Sequence, residues 1–279
     1  MNDGAMIGAN LGSTPVAVLG LGEAGSLLAR DLVRGGATVR GWDPDLHGDL
    51  TEIPLAPSAA AALAGAGLVL SVNWAIVADE VARAAVPQLA PGAVFADLNT
   101  AGPALKQQLA AICAAAGVRF VDVAMMAPVP PLGIRVPMFL AGDGADVLAA
   151  YLSRFGTPVE VVGSEAGAAA SRKLTRSVFF KGMSAAVCEA LEAARAAGVE
   201  DWLRADIART FAQADERLVD RIVEGTFTHA QRRAHEMHAA AALLDELGIP
   251  APIARAAADS LERIVRTKQG APPVESGAS

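Results

Sequence analysis

The feature that most restricts the fold of this chain is the glycine-rich turn Gly20-Leu-Gly22-Glu-Ala-Gly25. The run before it, Val16-Ala-Val-Leu19, is short and rich in β-branched residues, which is typical of a buried strand. The residues after it, 23–34, have a helical pattern that ends at Gly35 and Gly36. A strand, a glycine turn and a helix in this order predict the first half of a βαβ unit.

The three glycines of the turn have separate physical roles. Gly20 permits a tight turn, Gly22 allows a pyrophosphate to approach the backbone, and Gly25 allows the helix to pack closely on the sheet. The unpaired N–H groups at the helix N-terminus attract phosphate. We therefore interpret the turn as a dinucleotide site, and the alternative is a glycine-rich turn without a ligand. The predicted cofactor-binding residues of the turn are Gly20, Leu21, Gly22, Glu23, Ala24 and Gly25.

A carboxylate at the end of the second predicted strand bears on the choice of cofactor. Asp43 follows the run Ala37-Thr-Val-Arg40, where it can accept hydrogen bonds from the adenosine ribose and would repel a 2′-phosphate. We therefore expect NAD as the cofactor, with NADP as the alternative because Arg40 is near. Asp43-Pro44 could also be a simple turn.

Strand and helix patterns alternate along the first part of the chain and then change. Further strands are predicted at 68–72, 94–97 and 119–123, with a short extended run that ends at 139–140. Strands separated by helices pair in parallel. After residue 162 only helical patterns follow, at 167–198, 202–214, 215–224, 229–247 and 253–268. We predict an α/β fold: an N-terminal Rossmann doubly wound parallel sheet followed by an all-helical C-terminal domain.

The change of pattern also predicts the domain boundaries. The NAD(P)-binding domain is expected at 1–163, with a loose leader over residues 1–13. The helical domain, for substrate binding and dimerisation, is expected at 164–268, and a flexible tail at 269–279.

Composition excludes several classes of function. The net charge of −7 and the pI of about 5.2 argue against binding to nucleic acid or to an anionic membrane surface. Cys113 and Cys188 lie too far apart in sequence for a CxxC pair, and the four histidines show no set of metal ligands. The uncharged stretch 53–78 is interrupted by proline and glycine, which argues against a membrane span. Without a secretory pattern, we expect a cytoplasmic protein.

A lysine near the start of the long helix is the strongest candidate for catalysis. Lys173 and Ser177 are four residues apart and share a helix face, which Lys181 continues. A desolvated lysine can exchange a proton with a substrate hydroxyl. Taken alone, however, a lysine on a helix is more often solvated.

The chain resembles the β-hydroxyacid dehydrogenases, the group of 3-hydroxyisobutyrate and 6-phosphogluconate dehydrogenases. The resemblance covers nearly the whole chain: the glycine turn, Asp97-Leu-Asn-Thr100, the segment 120–128 and the helix with Lys173. More closely, it resembles a bacterial branch with a phosphogluconate-dehydrogenase-like C-terminal domain. That branch is marked here by Met126-Ala-Pro-Val-Pro-Pro131, Lys181-Gly182 and His229-Ala-Gln-Arg-Arg-Ala-His-Glu-Met237.

This resemblance implies roles for individual residues. Lys173 is then the catalytic lysine, and Ser177 stands where the family has an asparagine and helps to orient the substrate. The family's Ser-Gly-Gly substrate loop falls on Met126, Ala127 and Pro128, where proline lacks the N–H that could bind a carboxylate. Phe180 replaces the glutamate of the decarboxylating enzymes, which implies a reaction without decarboxylation.

Other candidates follow from position. Asn73, Asn99 and Thr100 lie at predicted strand ends, where a doubly wound sheet binds its ligand, and the family places nicotinamide-ribose contacts there. Ordinary turn residues are the alternative. Arg135, and His229 with Arg233, could contact an anionic substrate, and a solvated surface is the alternative for each.

Together these observations predict an NAD(P)-dependent dehydrogenase that acts on the hydroxyl-bearing carbon of a small polar substrate, a hydroxy acid or polyol acid. Two alternatives remain: an imine reductase on the same scaffold and a non-catalytic dinucleotide-binding sensor. The resemblance further implies a homodimer, because the helical domains of this family pack across subunits.

Overall fold

The computed structural model describes residues 14–48 and 50–269. The predicted leader over 1–13 lies outside the described residues, as does the predicted tail at 269–279 apart from its first residue. The chain divides into two compact units between Arg176 and Ser177, later than the boundary expected after residue 163. The difference arises because the first turns of the long helix are bonded to the sheet, as described below.

Seven strands of the described residues form a single sheet in the order β2-β1-β3-β4-β5-β6-β7. They are β1 (Val16–Leu19), β2 (Val39–Trp42), β3 (Leu68–Ser71), β4 (Val94–Asp97), β5 (Arg119–Met125), β6 (Met138–Ala141) and β7 (Val159–Gly163). Neighbouring strands pair in parallel except β5 and β6, which are antiparallel. The doubly wound fold is therefore confirmed, and the sheet of the described residues is mostly parallel, with β6 antiparallel to β5. Between β5 and β6 only the short 3-10 turn Gly133–Arg135 intervenes, and a parallel pair needs a longer crossover.

The helices of the described residues cover both faces of the sheet and then form the second unit. They are α1 (Glu23–Arg34), α2 (Ala59–Leu63), α3 (Ala78–Ala85), α4 (Pro103–Ala115), α5 (Ala145–Ser153), α6 (Ala168–Ala196), α7 (Glu200–Ala212), α8 (Leu218–Glu246) and α9 (Pro252–Lys268). The two helices predicted at 215–224 and 229–247 are one element, α8. His229 interrupts it with non-helical φ and ψ of −116° and 21°.

Alternate residues of each buried strand point to opposite faces, so the sheet carries two apolar cores. On β1, Val16 and Val18 contact one core, while Ala17 and Leu19 contact the other. All four side chains are buried, as expected for a strand with helices on both sides.

The strand order places a ligand crevice at one point of the sheet. β1 lies between β2 and β3, so the chain leaves β1 to one side and later returns to the other. The carboxyl ends of β1 and β3 therefore border the point where the winding changes direction, and doubly wound sheets bind ligands there. Gly20 follows β1 and Asn73 lies just beyond β3.

The second unit has a small core made mainly of alanine. Ala193, Ala241, Ala251 and Ala254 are buried together with Leu244. The carboxylate of Glu189 accepts hydrogen bonds from the backbone N–H groups of Ile253 and Ala254, at 2.9 and 2.8 Å, and so caps α9. Among the residues that the structure describes, no helix combines the length and the apolar character that a membrane span requires.

Candidate functional site

The glycine turn packs closely against the residue after β3 and against the first turn of α1. Gly20 has a φ of +97°, and a Cβ there would lie 2.3 Å from the carbonyl oxygen of Val72. A Cβ on Gly25 would lie 2.0 Å from the carbonyl oxygen of Gly20. Neither position can hold a side chain unless the backbone moves, which agrees with the roles predicted for these two glycines.

Gly22 differs, because the space in front of it is open. It is the N-cap of α1, no side chain caps the helix, and a Cβ on Gly22 would meet no atom within 4 Å. The N-terminal N–H groups of α1 therefore border an open space, here called the cradle, into which a Cβ at residue 22 would project. This geometry fits the diphosphate of a dinucleotide.

Asp43 is held against the glycine turn. Its Oδ2 accepts a hydrogen bond of 2.6 Å from the backbone N–H of Leu21, and its Oδ1 accepts one of 2.8 Å from Asp45. Each carboxylate oxygen can accept a second hydrogen bond, so the group can still bind the ribose hydroxyls of a dinucleotide.

Arg40, the residue that could favour a 2′-phosphate, bonds elsewhere. Its Nη1 donates a 2.6 Å hydrogen bond to the carbonyl oxygen of Ala64 and a weaker one, at 3.4 Å, to Ala61. The guanidinium thus satisfies carbonyl groups at the end of α2, as cationic side chains often do.

A second cluster lies at the carboxyl end of β4. The Nζ of Lys173 donates a hydrogen bond of 2.9 Å to the Oγ1 of Thr100. Asn99, Thr100 and Lys173 line one small void of about 10 Å³ together with Asp122. The structure therefore brings together three residues that the sequence predicted separately. Lys173 is partly buried rather than fully solvated.

A buried ion cluster beneath these residues escaped the sequence analysis. The Nζ of Lys106 lies 2.6 Å from the Oδ2 of Asp97 and 3.2 Å from the Oδ1 of Asp122. The Lys106 side chain is only 1% exposed. A signal was present: Lys106 shares one buried face of α4 with Leu109 and Cys113. A lysine in a core position of a helix marks a buried charge with a specific partner.

Burial raises the pKa of two acidic groups near this cluster. Burial raises the pKa of the Asp97 carboxyl, an effect opposed by the Lys106 ammonium. Burial also raises the pKa of the Cys113 thiol to about 12, so Cys113 is not a thiolate nucleophile at neutral pH.

Asn99 provides a further sign of a ligand at the end of β4. Its side-chain N–H donates a 2.5 Å hydrogen bond to the Oδ1 of Asp97. Its Oδ1 is buried and accepts no hydrogen bond from any residue that the structure describes. Buried amide oxygens are nearly always paired, so this atom fits a donor on a bound cofactor. Asn73, near Gly20, donates to the Oγ of Ser71 at 2.9 Å.

The residues predicted for substrate binding in the first unit do not all lie together. Met126 lines an open cavity of about 600 Å³ with Phe139, Arg172 and Arg176 among its walls. Ala127 packs against the core and Pro128 is exposed.

Arg135 does not line this cavity. It is exposed on the turn Gly133–Arg135, where the Oδ2 of Asp31 accepts a 2.9 Å hydrogen bond from the N–H of Ile134.

Three predicted residues belong to the second unit. Ser177 is its first residue, His229 lies at the kink of α8, and the Nη1 of Arg233 donates a 2.7 Å hydrogen bond to Thr226. Their roles stay predictions. Within the described part of the chain, no three His, Cys, Asp or Glu side chains are grouped as metal ligands would be.

Comparison with known families identifies both parts of the chain. Residues 15–127 match the NAD binding domain of 6-phosphogluconate dehydrogenase. Residues 194–264 match a domain of unknown function, DUF1932. The first match includes the glycine turn, Asp43 and Thr100, so the residues that fit a dinucleotide lie in the part of the chain that is similar to an NAD binding domain.

Individual relatives agree with this assignment. The chain is 34% identical to a conserved hypothetical protein from Sinorhizobium meliloti, over 97% of this chain and 93% of that one, with a TM-score of 0.60. An imine reductase from Myxococcus stipitatus in complex with NAD⁺ has the same fold, with a TM-score of 0.76 and 21% identity over 94% and 96% of the two chains. An uncharacterized 28.5 kDa protein of Methanothermus fervidus is 28% identical over 144 residues. That match spans 52% of this chain and 55% of the relative.

Two glycine substitutions separate loop packing from phosphate binding. Gly25→Ala should lower the stability by about 1–3 kcal/mol, because its Cβ collides with the Gly20 carbonyl. Gly22→Ala should leave the melting temperature nearly unchanged, yet raise the Kd for NADH about tenfold by filling the cradle. Thermal denaturation and NADH fluorescence titration measure the two effects. Wild-type NADH affinity in Gly22→Ala would contradict the assignment of the cradle.

Proposed function

We propose that the chain is an NAD-dependent dehydrogenase. It belongs to the family in which the NAD binding domain of 6-phosphogluconate dehydrogenase is followed by the helical domain DUF1932. Its substrate is a small polar molecule, a hydroxy acid or polyol acid, whose hydroxyl-bearing carbon exchanges hydride with the cofactor. The observation that carries the proposal is the contact of Lys173 with Thr100 at the carboxyl end of β4.

Lys173 is the proton-transfer group of this proposal. A bound nicotinamide supplies the acceptor or the donor of the hydride. In the direction of oxidation, the Lys173 amine accepts the proton of the substrate hydroxyl. In the direction of reduction, the ammonium stabilises the developing alkoxide and returns the proton. By the family resemblance, Ser177 orients the substrate, and Phe180 offers no acid for a decarboxylation.

Substitution of Lys173 tests this role. Lys173→Ala should lower kcat by about 10²-fold or more, because a positioned base contributes about 10²–10⁴-fold. The Kd for NADH should change by no more than about threefold, equivalent to less than 1 kcal/mol, because the glycine turn and Asp43 bind the dinucleotide. Lys173→Arg should not restore activity, since guanidinium cannot act as a base at neutral pH.

Lys181→Ala is the matched control, because Lys181 is an exposed lysine on the same helix. It should keep wild-type kinetics. Steady-state kinetics and NADH fluorescence titration provide both readouts. If Lys173→Ala retains more than about a tenth of the wild-type kcat, the proposed mechanism is wrong, because the loss falls below the range for a positioned base.

The preference for NAD rests on two contacts. Asp43 is fixed beside Leu21, so its carboxylate would face a 2′-phosphate, and Arg40 is engaged at the end of α2. Two negative groups in direct contact repel each other strongly. The wild-type protein should therefore have a higher kcat/KM with NAD than with NADP.

Asp43→Asn tests this explanation of cofactor choice. The variant keeps an oxygen for the Leu21 N–H but removes the charge, so the NAD-to-NADP ratio of kcat/KM should fall about tenfold. Asp45→Asn is the control for a lost surface charge and should leave the ratio unchanged. A wild-type preference of tenfold or more for NADP would overturn the proposal.

The substrate class is tested by a direct comparison. Hydroxy acids and polyols are screened for reduction of NAD, and cyclic imines for oxidation of NADH. We expect turnover of a hydroxyl substrate. Turnover of imines alone would favour an imine reductase, whereas NADH binding without any turnover would favour a sensor.

We also propose that the chain forms a homodimer through its second unit. Four large apolar side chains of α8 are exposed at a helical spacing: Val219, Ile222, Val223 and Phe227. They form one apolar stripe on a unit whose own core is mostly alanine. Monomeric soluble proteins rarely expose such patches.

Sedimentation velocity at micromolar concentration should detect a dimer of the 28.4 kDa chain. Val223→Glu should shift the protein towards monomer, since it places a charge in the stripe. Leu46→Glu, at an exposed leucine of the first unit, is the control and should leave the dimer intact. A wild-type protein that sediments as a monomer would refute the dimer.

A further inference from the structure

We propose that Lys106 is a positioning residue for the reaction, because its buried ammonium fixes Thr100 and Lys173 relative to each other. The inference rests on the proposed role of Lys173 as the proton-transfer group. It assigns a function to a cluster that touches neither the glycine turn nor the cavity beside Met126.

The location of Lys106 calls for an explanation beyond stability. Its side chain is 1% exposed, and it lies on the α4 face that also buries Leu109 and Cys113. An ammonium in such a place is unfavourable unless carboxylates surround it. An apolar residue of similar size often stabilises a core equally well or better. Asp122, one of the two carboxylates, also lines the small void that Asn99, Thr100 and Lys173 border, so the cluster adjoins the proposed site.

One set of contacts fixes the chain that leads to Thr100. The Nζ of Lys106 donates to the carbonyl oxygen of Asp97 at 2.9 Å as well as to its Oδ2 at 2.6 Å. The Oδ1 of the same carboxylate accepts the amide of Asn99. The last residue of β4 and the loop after it are thereby tied to one charged group, and Thr100 is the next residue of that loop.

A second set of contacts fixes the start of α6. The Oδ1 of Asp122 lies 3.2 Å from the Nζ of Lys106. The Oδ2 of Asp122 accepts hydrogen bonds from the N–H groups of Gly167 and Ala170, at 3.1 and 2.9 Å. Asp122 therefore caps α6 with a charge that favours the helix N-terminus. Lys173 lies one turn further along the same helix.

The two sets of contacts meet at the proposed catalytic group. The loop holds the Oγ1 of Thr100 and the helix holds the Nζ of Lys173, and these atoms are 2.9 Å apart. A general base works only when it is held within hydrogen-bond reach of its proton donor. Loss of the Lys106 ammonium releases the loop from the helix, so that Lys173 is present but no longer held in place.

Two variants remove the ammonium in different ways. Lys106→Met leaves both carboxylates without their partner. Lys106→Met/Asp97→Asn removes one positive and one negative charge together, and the new amide oxygen can still accept from Asn99. Each folded variant should lose about 10²-fold in kcat, a loss within the range for a misplaced base. The Kd for NADH should stay within about threefold of the wild type, because the dinucleotide is bound elsewhere.

A double-mutant cycle with Lys173→Ala identifies the route of the effect. If Lys106 acts through Lys173, Lys106→Met should cost less than about threefold in kcat when Lys173 is already alanine, because coupled residues give non-additive losses. If the fold-loss of kcat in the double variant equals the product of the losses in the two single variants, the residues act independently and the proposal is overturned. If Lys173→Ala loses most of its kcat while folded Lys106→Met keeps the wild-type kcat, the positioning role of Lys106 is wrong but the proposed function stands. Wild-type activity in Lys173→Ala would instead refute the proposed function.

Hydrogen exchange of the free protein gives a readout that does not depend on activity. Amide exchange over residues 165–173 should be faster in Lys106→Met, because the Asp122 cap loses its anchor. Leu109→Ala is the matched control, since it removes a buried side chain from the same face of α4. It should lower the melting temperature while leaving kcat and the exchange over 165–173 unchanged.

If neither Lys106 variant folds, Thr100→Val tests the contact between Thr100 and Lys173 directly. Thr100 is exposed, so its loss of a hydroxyl should not affect folding. It removes the acceptor of Lys173 and should lower kcat by about tenfold or more. Wild-type kcat in Thr100→Val would show that the contact does not position Lys173 and would overturn the inference.

Discussion

The ammonium of Lys106 is the point at which the sheet, the loop after β4 and helix α6 are joined. Backbone hydrogen bonds hold the strands to one another, and Asp97 of β4 is paired with Asp122 of β5 in the sheet. The carboxylates of these two residues share one buried cation, and Asp122 also bonds to the start of α6. Because an unpaired buried charge is strongly unfavourable, the three groups stabilise one another in these positions. The position of α6 on the sheet depends on this constraint.

The features that could be predicted from the sequence are those that depend on residues close together in the chain. The glycine turn and Asp43 were predicted because each depends on neighbours in a single βαβ unit. The Lys106 cluster was not predicted, since Asp122 reaches Gly167 across 45 positions of the chain and no periodicity encodes that contact. The antiparallel β6 was missed for a related reason. An extended run has no direction in the sequence, and only the lack of a crossover helix between β5 and β6 determines it.

The domain boundary illustrates how a continuous helix can belong to two units. The change from strand to helix patterns was read from the sequence as the boundary, after residue 163. The compact units instead divide between Arg176 and Ser177, within α6. The reason is the cap: Asp122 bonds the first turn of α6 to β5, and Ala169 is buried beside Ala124 and Ala141. The first turns of this helix are part of the sheet's own unit, and Lys173 is positioned by that unit.

Two lysines of the first unit differ in environment, and the difference determines what each can do. Lys106 is almost fully buried and its ammonium lies between two carboxylates, so it is suited to hold a fixed position. Lys173 is partly exposed and donates to the hydroxyl of Thr100, a setting that suits the proton exchange proposed for it. The proposed dehydrogenation requires both properties, since the base must change its protonation state in each turnover without changing its place. Division of these tasks between two residues, one that is held in place and one that transfers the proton, satisfies both requirements.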